Sequence, residues 1–405
     1  MGDHRPTGRP GLCGRRVDRG VTRIGVFTGT RAEYGLLRPV LEALDSSNRL
    51  ESRLIVGGTH LSPAHGRTVS DIEADGRQID ATVPVPLAGD DGASVATDMA
   101  ATLAGVARAY AALALDAVMV LGDRTEVLAA ACAAVPLRLP ILHLEGGHRT
   151  AGAIDDSIRH AVTKLAALHF TAAEPYRQRI LQMGEAPERV FTVGSTGVDT
   201  LMALGRAAPA DVEALDGLDL SKGFVLATFH PETLGEDTPE DQITAFLDGL
   251  RSVSDRPILM TQPNADAGAG AIRAALSAFA AERSGQVRLV ESLGARGYAA
   301  ALTACDVVVG NSSSGVIEAP AAGVPSVNVG RRQDGRLKPA SVIDCALEPG
   351  AIRTALSKAL TPAFGAAARA LPPMFGDGTA GRRIVDILER TDLTGLARKP
   401  FVDFR

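Results

Sequence analysis

The 405 residues suffice for two ordinary domains, and 45% apolar residues supply a sizeable core. A net charge of −5 argues against a dedicated nucleic-acid binder, while leaving room for a local basic pocket. No run is long and apolar enough to cross a bilayer, and four scattered cysteines without a CxxC pair suit a reducing cytoplasm better than a disulfide scaffold.

Residues 1–21 are rich in Arg, Gly and Pro and read as a disordered basic tail, because Arg15-Arg16 lacks the apolar segment an export signal needs. From Arg23 onward, short Val/Ile-rich runs alternate with longer Ala/Leu-rich stretches. Strands are expected at Ile24–Thr28, Arg53–Val56, Ala117–Leu121, Ile141–Leu144 and Phe170–Ala172. Five more are expected at Phe224–Thr228, Ile258–Thr261, Val287–Val290, Val307–Val309 and Ser326–Val329. Continuous apolar runs fit parallel strands covered on both faces, so the pattern predicts doubly wound α/β architecture. A break near Met202–Gly223 divides the chain into an N-terminal α/β domain over 22–205 and a C-terminal one over 206–380, with a helix and tail over 381–405. Two Rossmann-like domains would face a central cleft, with ligands outside the carboxyl ends of the strands.

The candidate residues fall at those ends. After the first strand, Gly29-Thr30-Arg31 opens a helix whose free N–H groups suit an anion, and Arg31 strengthens that reading. The turn is not GxGxxG, so a nicotinamide fingerprint is absent. Asp123 and Arg124 follow the strand Ala117–Leu121, where Asp is either a helix cap or a cleft carboxylate. His143 and Glu145 are expected on one face of the next strand end, beside a glycine pair. Zinc held by His143, Glu145, His148 and His60 or His65 matches no standard spacing, so no metal is expected. Asp155 and Asp156 open a helix a short loop later. If Asp123, Glu145 and Asp155/Asp156 converge, crowding would raise their proton affinity and make acids or bases useful near neutral pH.

In the second half, His230 follows a strand and is either a phosphate contact or a solvated turn residue. Asn311, Ser312 and Ser313 join a strand to a helix, where hydroxyls and N–H groups suit a diphosphate. Glu318 lies where a carboxylate reaches two ribose hydroxyls, and Arg331, Arg332 and Arg336 follow the next strand as phosphate partners.

The runs GTRAEYGLL (from Gly29), LGDRTE (from Leu121), HLEGG (from His143), DDSIRHAVTKLA (from Asp155), GNSSSG (from Gly310) and GRRQDGR (from Gly330) together resemble the UDP-N-acetylglucosamine 2-epimerase family over roughly Arg23 to Asp386. Asp155-Asp156 replaces a proline–glutamate run of the non-hydrolysing branch, so the hydrolysing, N-acetylmannosamine-forming branch is the more similar. Glu33 and Glu126 stand where the family often has Asp.

The resemblance implies a two-domain glycosyltransferase-B-type fold, no cofactor, a homodimer, and UDP-N-acetylglucosamine and UDP as ligands. It implies C2 proton handling by Asp123 and Glu145, with Asp155 and Asp156 as acid/base partners. It places His230, Arg31, Ser312, Ser313 and Arg332 near the diphosphate, Glu318 at the ribose, and His60 near the acetamido sugar. UDP would leave as a glycal forms, and water would add at C1 with inversion at C2. The alternatives are a non-hydrolysing epimerase, and a UDP-sugar glycosyltransferase of the same fold.

Overall fold

Short apolar runs bury both faces only where helices cover a parallel sheet on each side, and the computed structural model contains two such sheets. It describes residues 20–150, 153–233, 235, 237–263 and 268–403, so the basic tail up to Arg19 lies outside the described residues.

The first sheet holds β1 (Thr22–Thr28), β2 (Leu50–Gly57), β3 (Ala81–Val83), β4 (Ala117–Leu121), β5 (Ile141–Leu144), β6 (Leu168–Thr171) and β7 (Val190–Thr192). The second holds β8 (Val225–Thr228), β9 (Ile258–Thr261), β10 (Val287–Val290), β11 (Val307–Gly310), β12 (Ser326–Val329) and β13 (Val342–Cys345). Their orders are β3-β2-β1-β4-β5-β6-β7 and β10-β9-β8-β11-β12-β13, and every pairing is parallel. Both sheets therefore reverse their strand order once, between β1 and β4 and between β8 and β11. A crevice opens at each reversal, because the flanking connections leave to opposite faces.

Each sheet is sealed on two sides. Val26, Met119, Leu142 and Phe170 belong to one buried cluster, and Phe27, Val118, Val120 and Ile141 to another. In the second sheet Val225, Val309 and Val327 face one cluster, while Leu226, Leu259 and Val308 face the other. Gly310 ends β11 with φ of 138°, and a β-carbon there would overlap the Thr228 carbonyl oxygen. Only glycine lets β11 approach β8 so closely at the mouth of the crevice.

The last helix, Ala380–Arg390, returns to the first sheet, where Ile384, Val385 and Leu388 pack with Leu37, Leu41 and Leu44. Asp199 caps it by accepting from the Ala380 and Gly381 amides at 3.0 and 2.7 Å. A further apolar cluster joins Tyr176 and Val198 to Val316, Ile317 and Phe375, which seats the halves against each other. Among the described residues no helix is long and apolar enough to cross a membrane.

Candidate active site

A cleft lies where the two strand reversals face each other. Arg31, Asp123, Arg124 and Asp155 line one wall; His230, Ser312, Ser313, Glu318, Arg332 and Arg336 line the other. Most of them sit in the loops after β1, β4, β8, β11 and β12.

Asp123 lies two residues beyond β4, after Gly122, and its carboxylate accepts from Arg159, a fully buried guanidinium on the helix Asp155–Leu165. Arg336 reaches it from the opposite half at 4.0 Å. Burial by itself would raise the Asp123 carboxyl, but Arg159 and Arg336 outweigh it and hold the group below the usual carboxylate range. Asp155 accepts from Arg332 at 3.1 Å, a second ion pair across the cleft. The expected mutual crowding of carboxylates is therefore corrected: Asp123 and Asp155 each face an arginine, not one another.

Glu145 lies one residue beyond β5 with φ of 62°, a left-handed backbone that costs a non-glycine residue roughly 1–3 kcal/mol. That turn aims its carboxylate at the Ser195 hydroxyl, the Thr196 amide and the His148 ring, whose Nε2 is 3.0 Å away. Burial above all, then the nearby Glu318, pushes its carboxyl up to about 7. The same turn ends strand alternation, so His143 does not share its face as expected. His143 is fully buried, its Nε2 donating to the Gly122 carbonyl (2.8 Å) and its Nδ1 3.3 Å from the Thr163 hydroxyl. A carbonyl only accepts, so the His143 Nε2 carries the proton.

On the far wall, Ser312 and Ser313 lead into a 3-10 turn, Ser313–Gly315, and a four-residue helix, Glu318–Ala321, in place of one regular helix. Glu318 has one buried carboxylate oxygen, Oε2, without a hydrogen-bond partner, and burial raises its pKa. Gly197 makes room for it, since a β-carbon there would overlap the Glu318 Oε1. A pair of opposed walls results, one rich in arginine and hydroxyls, the other carrying ionised Asp123; the more basic Glu145 stands outside this lining, beside Glu318 and His148.

The model of the UDP-N-acetylglucosamine 2-epimerase family matches residues 42–389. The chain belongs to this family. It is 34% identical over 374 residues to the UDP-N,N'-diacetylbacillosamine 2-epimerase (hydrolyzing) of Legionella pneumophila, covering 92% of this chain and 97% of that one. It is 34% identical over 322 residues to the GDP/UDP-N,N'-diacetylbacillosamine 2-epimerase (hydrolyzing) of Campylobacter jejuni, covering 80% of this chain and 84% of that one. These relatives put it on the hydrolysing branch of the epimerase family. The crystal structure of UDP-GlcNAc 2-epimerase from Neisseria meningitidis bound to UDP-GlcNAc superposes with a TM-score of 0.76 at 18% identity, over 92% of this chain and 100% of that one. That likeness is one of fold, the two-domain glycosyltransferase-B type.

Five expected residues of this epimerase-family chain, His60, Glu145, Asp156, Asn311 and Arg331, do not line the cleft. His60 is fully buried, with its ring nitrogens 3.0 Å from the Thr28 hydroxyl and 2.9 Å from the Thr68 hydroxyl. It is a satisfied core histidine with no polar atom left for a sugar. Asp156 accepts from the Thr150 amide at 2.6 Å and from Arg159 at 3.3 Å, so it pins the loop before its own helix. Asn311 is fully buried and clamps His230: its Oδ1 accepts from the His230 amide at 2.7 Å and its Nδ2 donates to the His230 carbonyl at 2.8 Å. The clamp seats His230 in the cleft without Asn311 reaching it. Arg331 is exposed, and its Nε pairs with Asp334 at 3.5 Å.

Two residues carry more than the sequence assigned to them. Arg159 stood inside the diagnostic DDSIRHAVTKLA run, three positions after Asp156, which is the spacing of partners on one helix face. Arg336 is in the sequence one of three basic loop residues, yet it reaches both Asp123 and the His148 ring from the opposite half. Arg31 lines the cleft and donates to the Glu291 carbonyl at 3.0 Å, a third crossing between the halves.

Proposed function

We propose that the protein hydrolyses UDP-N-acetylglucosamine to UDP and N-acetylmannosamine, with inversion at C2. The observation that supports this is the divergence of two strand-end carboxylates: Asp123, which lines the cleft, is held ionised by arginines, while Glu145, beside the cleft residue Glu318, has its carboxyl pushed up to about 7 by burial. Paired groups pushed apart in this way are suited to separate acid/base duties.

In this reading the C1–O bond breaks as UDP leaves with the bonding electrons. Arg332, His230, Ser312 and Ser313 hold the departing diphosphate, and Glu318 holds the ribose hydroxyls. Ionised Glu145 takes the C2 proton, and the C2–H electrons become the C1–C2 double bond of a glycal. Water then places its oxygen on C1, and a proton reaches C2 from the opposite face. Asp123 stabilises positive charge at C1, and Asp155 is the further acid/base group within the cleft. No redox change occurs, so no redox cofactor is required. The same family reading carries a homodimer, for which exposed Leu103 on the helix Gly92–Ala112 and exposed Val135 and Leu137 in the turn after the helix Thr125–Ala134 would offer apolar side chains.

A second substrate has support. Two relatives at 34% identity are named for UDP- or GDP/UDP-N,N'-diacetylbacillosamine, whose 2-acetamido carbon would meet the same groups. Purified protein should release UDP from one of these two nucleotide sugars with no acceptor present, read by NMR. Turnover only with an added acceptor would make it a transferase, and persistent UDP-N-acetylmannosamine would make it a non-hydrolysing epimerase.

A further inference from the structure

We propose that His148 is a positioning residue for Glu145: Arg336, from the opposite half of the molecule, locks the imidazole with its Nε2–H aimed at the Glu145 carboxylate. The inference rests on Glu145 being the group that handles the C2 proton.

The hydrogen bonds leave one tautomer. The Arg336 Nη1 lies 2.8 Å from the His148 Nδ1, and a guanidinium has donors only, so Nδ1 accepts. The proton of a neutral ring then sits on Nε2, 3.0 Å from the Glu145 Oε2, and donates to it. The ring stays neutral because it is buried and because Arg336, Arg159 and Arg179 surround it, with His143 behind. It is therefore a fixed dipole, not a proton carrier.

The surroundings hold both ends of this relay. His148 stacks on Tyr176 with centroids 3.9 Å apart and planes at 27°. The Tyr176 hydroxyl accepts from the Leu337 amide at 3.2 Å, the residue next to Arg336. One aromatic ring thus supports the imidazole and tethers the segment that supplies the guanidinium. Glu145 is faced by His148, the Ser195 hydroxyl and the Thr196 amide, which favour the anion, by Arg336, which does the same, and by Glu318, which opposes it. Because Arg336 lies after β12 and Glu145 after β5, the carboxylate acquires its full set of partners only when the halves are seated on each other.

The wild-type protein gives the first test. Nitrogen-15 NMR of His148 should show the proton on Nε2 and a bare Nδ1 throughout the neutral range. A proton on Nδ1, or an imidazolium, would overturn the proposal. Two variants give the second. His148→Phe keeps the ring on Tyr176 but removes the donor. It should lower kcat roughly ten- to hundredfold with little change in KM, the weight of a hydrogen bond to a charged group. Titration of carbon-13-labelled glutamate, assigned by its loss in Glu145→Gln, should show Glu145 ionising at higher pH in His148→Phe, and the acid limb of the pH profile should move with it. His148→Gln, whose amide accepts from Arg336 and donates to Glu145, should recover most of both. An unmoved Glu145 titration in the Phe variant, or a Gln variant as impaired as Phe, contradicts the proposal. Near-normal turnover of Glu145→Gln would instead overturn the functional reading, and the titration would still report whether His148 governs Glu145.

Discussion

Asp123 and Glu145 lie under the influence of one arginine, Arg336, yet they hold protons differently. Glu145→Gln should reduce C2 proton exchange by about a thousandfold or more, the upper part of what a positioned acid/base group supplies. The same change has a signed effect on stability. The folded-state pKa of Glu145 is raised from 4.5 to about 7, so its contribution to stability is fully present below 4.5 and is lost as pH rises through 7. Relative to wild type, the Gln variant should therefore gain up to roughly 3 kcal/mol between about pH 4.5 and pH 8, seen as a rising difference in Tm. No pH dependence of that difference would mean Glu145 is not desolvated. Asp123 has the opposite sign. Its depressed pKa gives stability above 3.8 that is lost as pH falls below that value. Asp123→Asn should cost roughly 3 kcal/mol at neutral pH, because buried Arg159 loses the nearer of its two carboxylate partners, and the cost should shrink in acid unfolding curves. Both carboxylates were legible in the sequence because each lies just beyond an apolar strand. Their protonation was not, since it depends on Arg159 and Arg336, which lie 36 and 213 positions from Asp123. The family resemblance implies a sugar-side place for His60, whereas its ring lies between the Thr28 and Thr68 hydroxyls, neighbours that no local motif reveals.

At the scale of elements, the ten expected strands are all present, and the three not foreseen, β3, β7 and β13, are all sheet edges. An edge strand is covered on fewer sides, so its residues need not be uniformly apolar. Thr82, Thr192 and Asp344 are exposed within these three strands and break the hydrophobic run that marks the others. The serine run was legible as a strand-to-helix junction, but the tight 3-10 turn was not. Its packing is decided by distant neighbours, of which Gly197 on the helix Thr196–Leu204 is one. Gly197→Ala should displace Glu318 and weaken UDP binding about tenfold or more by calorimetry, because a buried carboxylate would lose its ribose partners. Unchanged UDP affinity in that variant would remove Glu318 from the ribose site.

The whole molecule is two crevices turned into one. Each sheet supplies a strand reversal, and the pairs Arg332–Asp155 and Arg336–Asp123 cross between them. The alternation of strands and helices made the two α/β units legible. The return of the last helix to the first sheet was not, because Ile384, Val385 and Leu388 would fit any apolar face of suitable curvature. Nor does sequence order reveal that arginines after β12 close over carboxylates after β4 and β5, where Arg336 joins Arg159 in keeping Asp123 ionised. The most direct measurement is turnover of the nucleotide sugar in deuterated water, with products read by proton NMR. Elimination and readdition predict one deuterium at C2 of the freed, inverted amino sugar, together with UDP. An inverted sugar that retains its C2 proton, or release of UDP with the original C2 configuration, would contradict proton removal at C2.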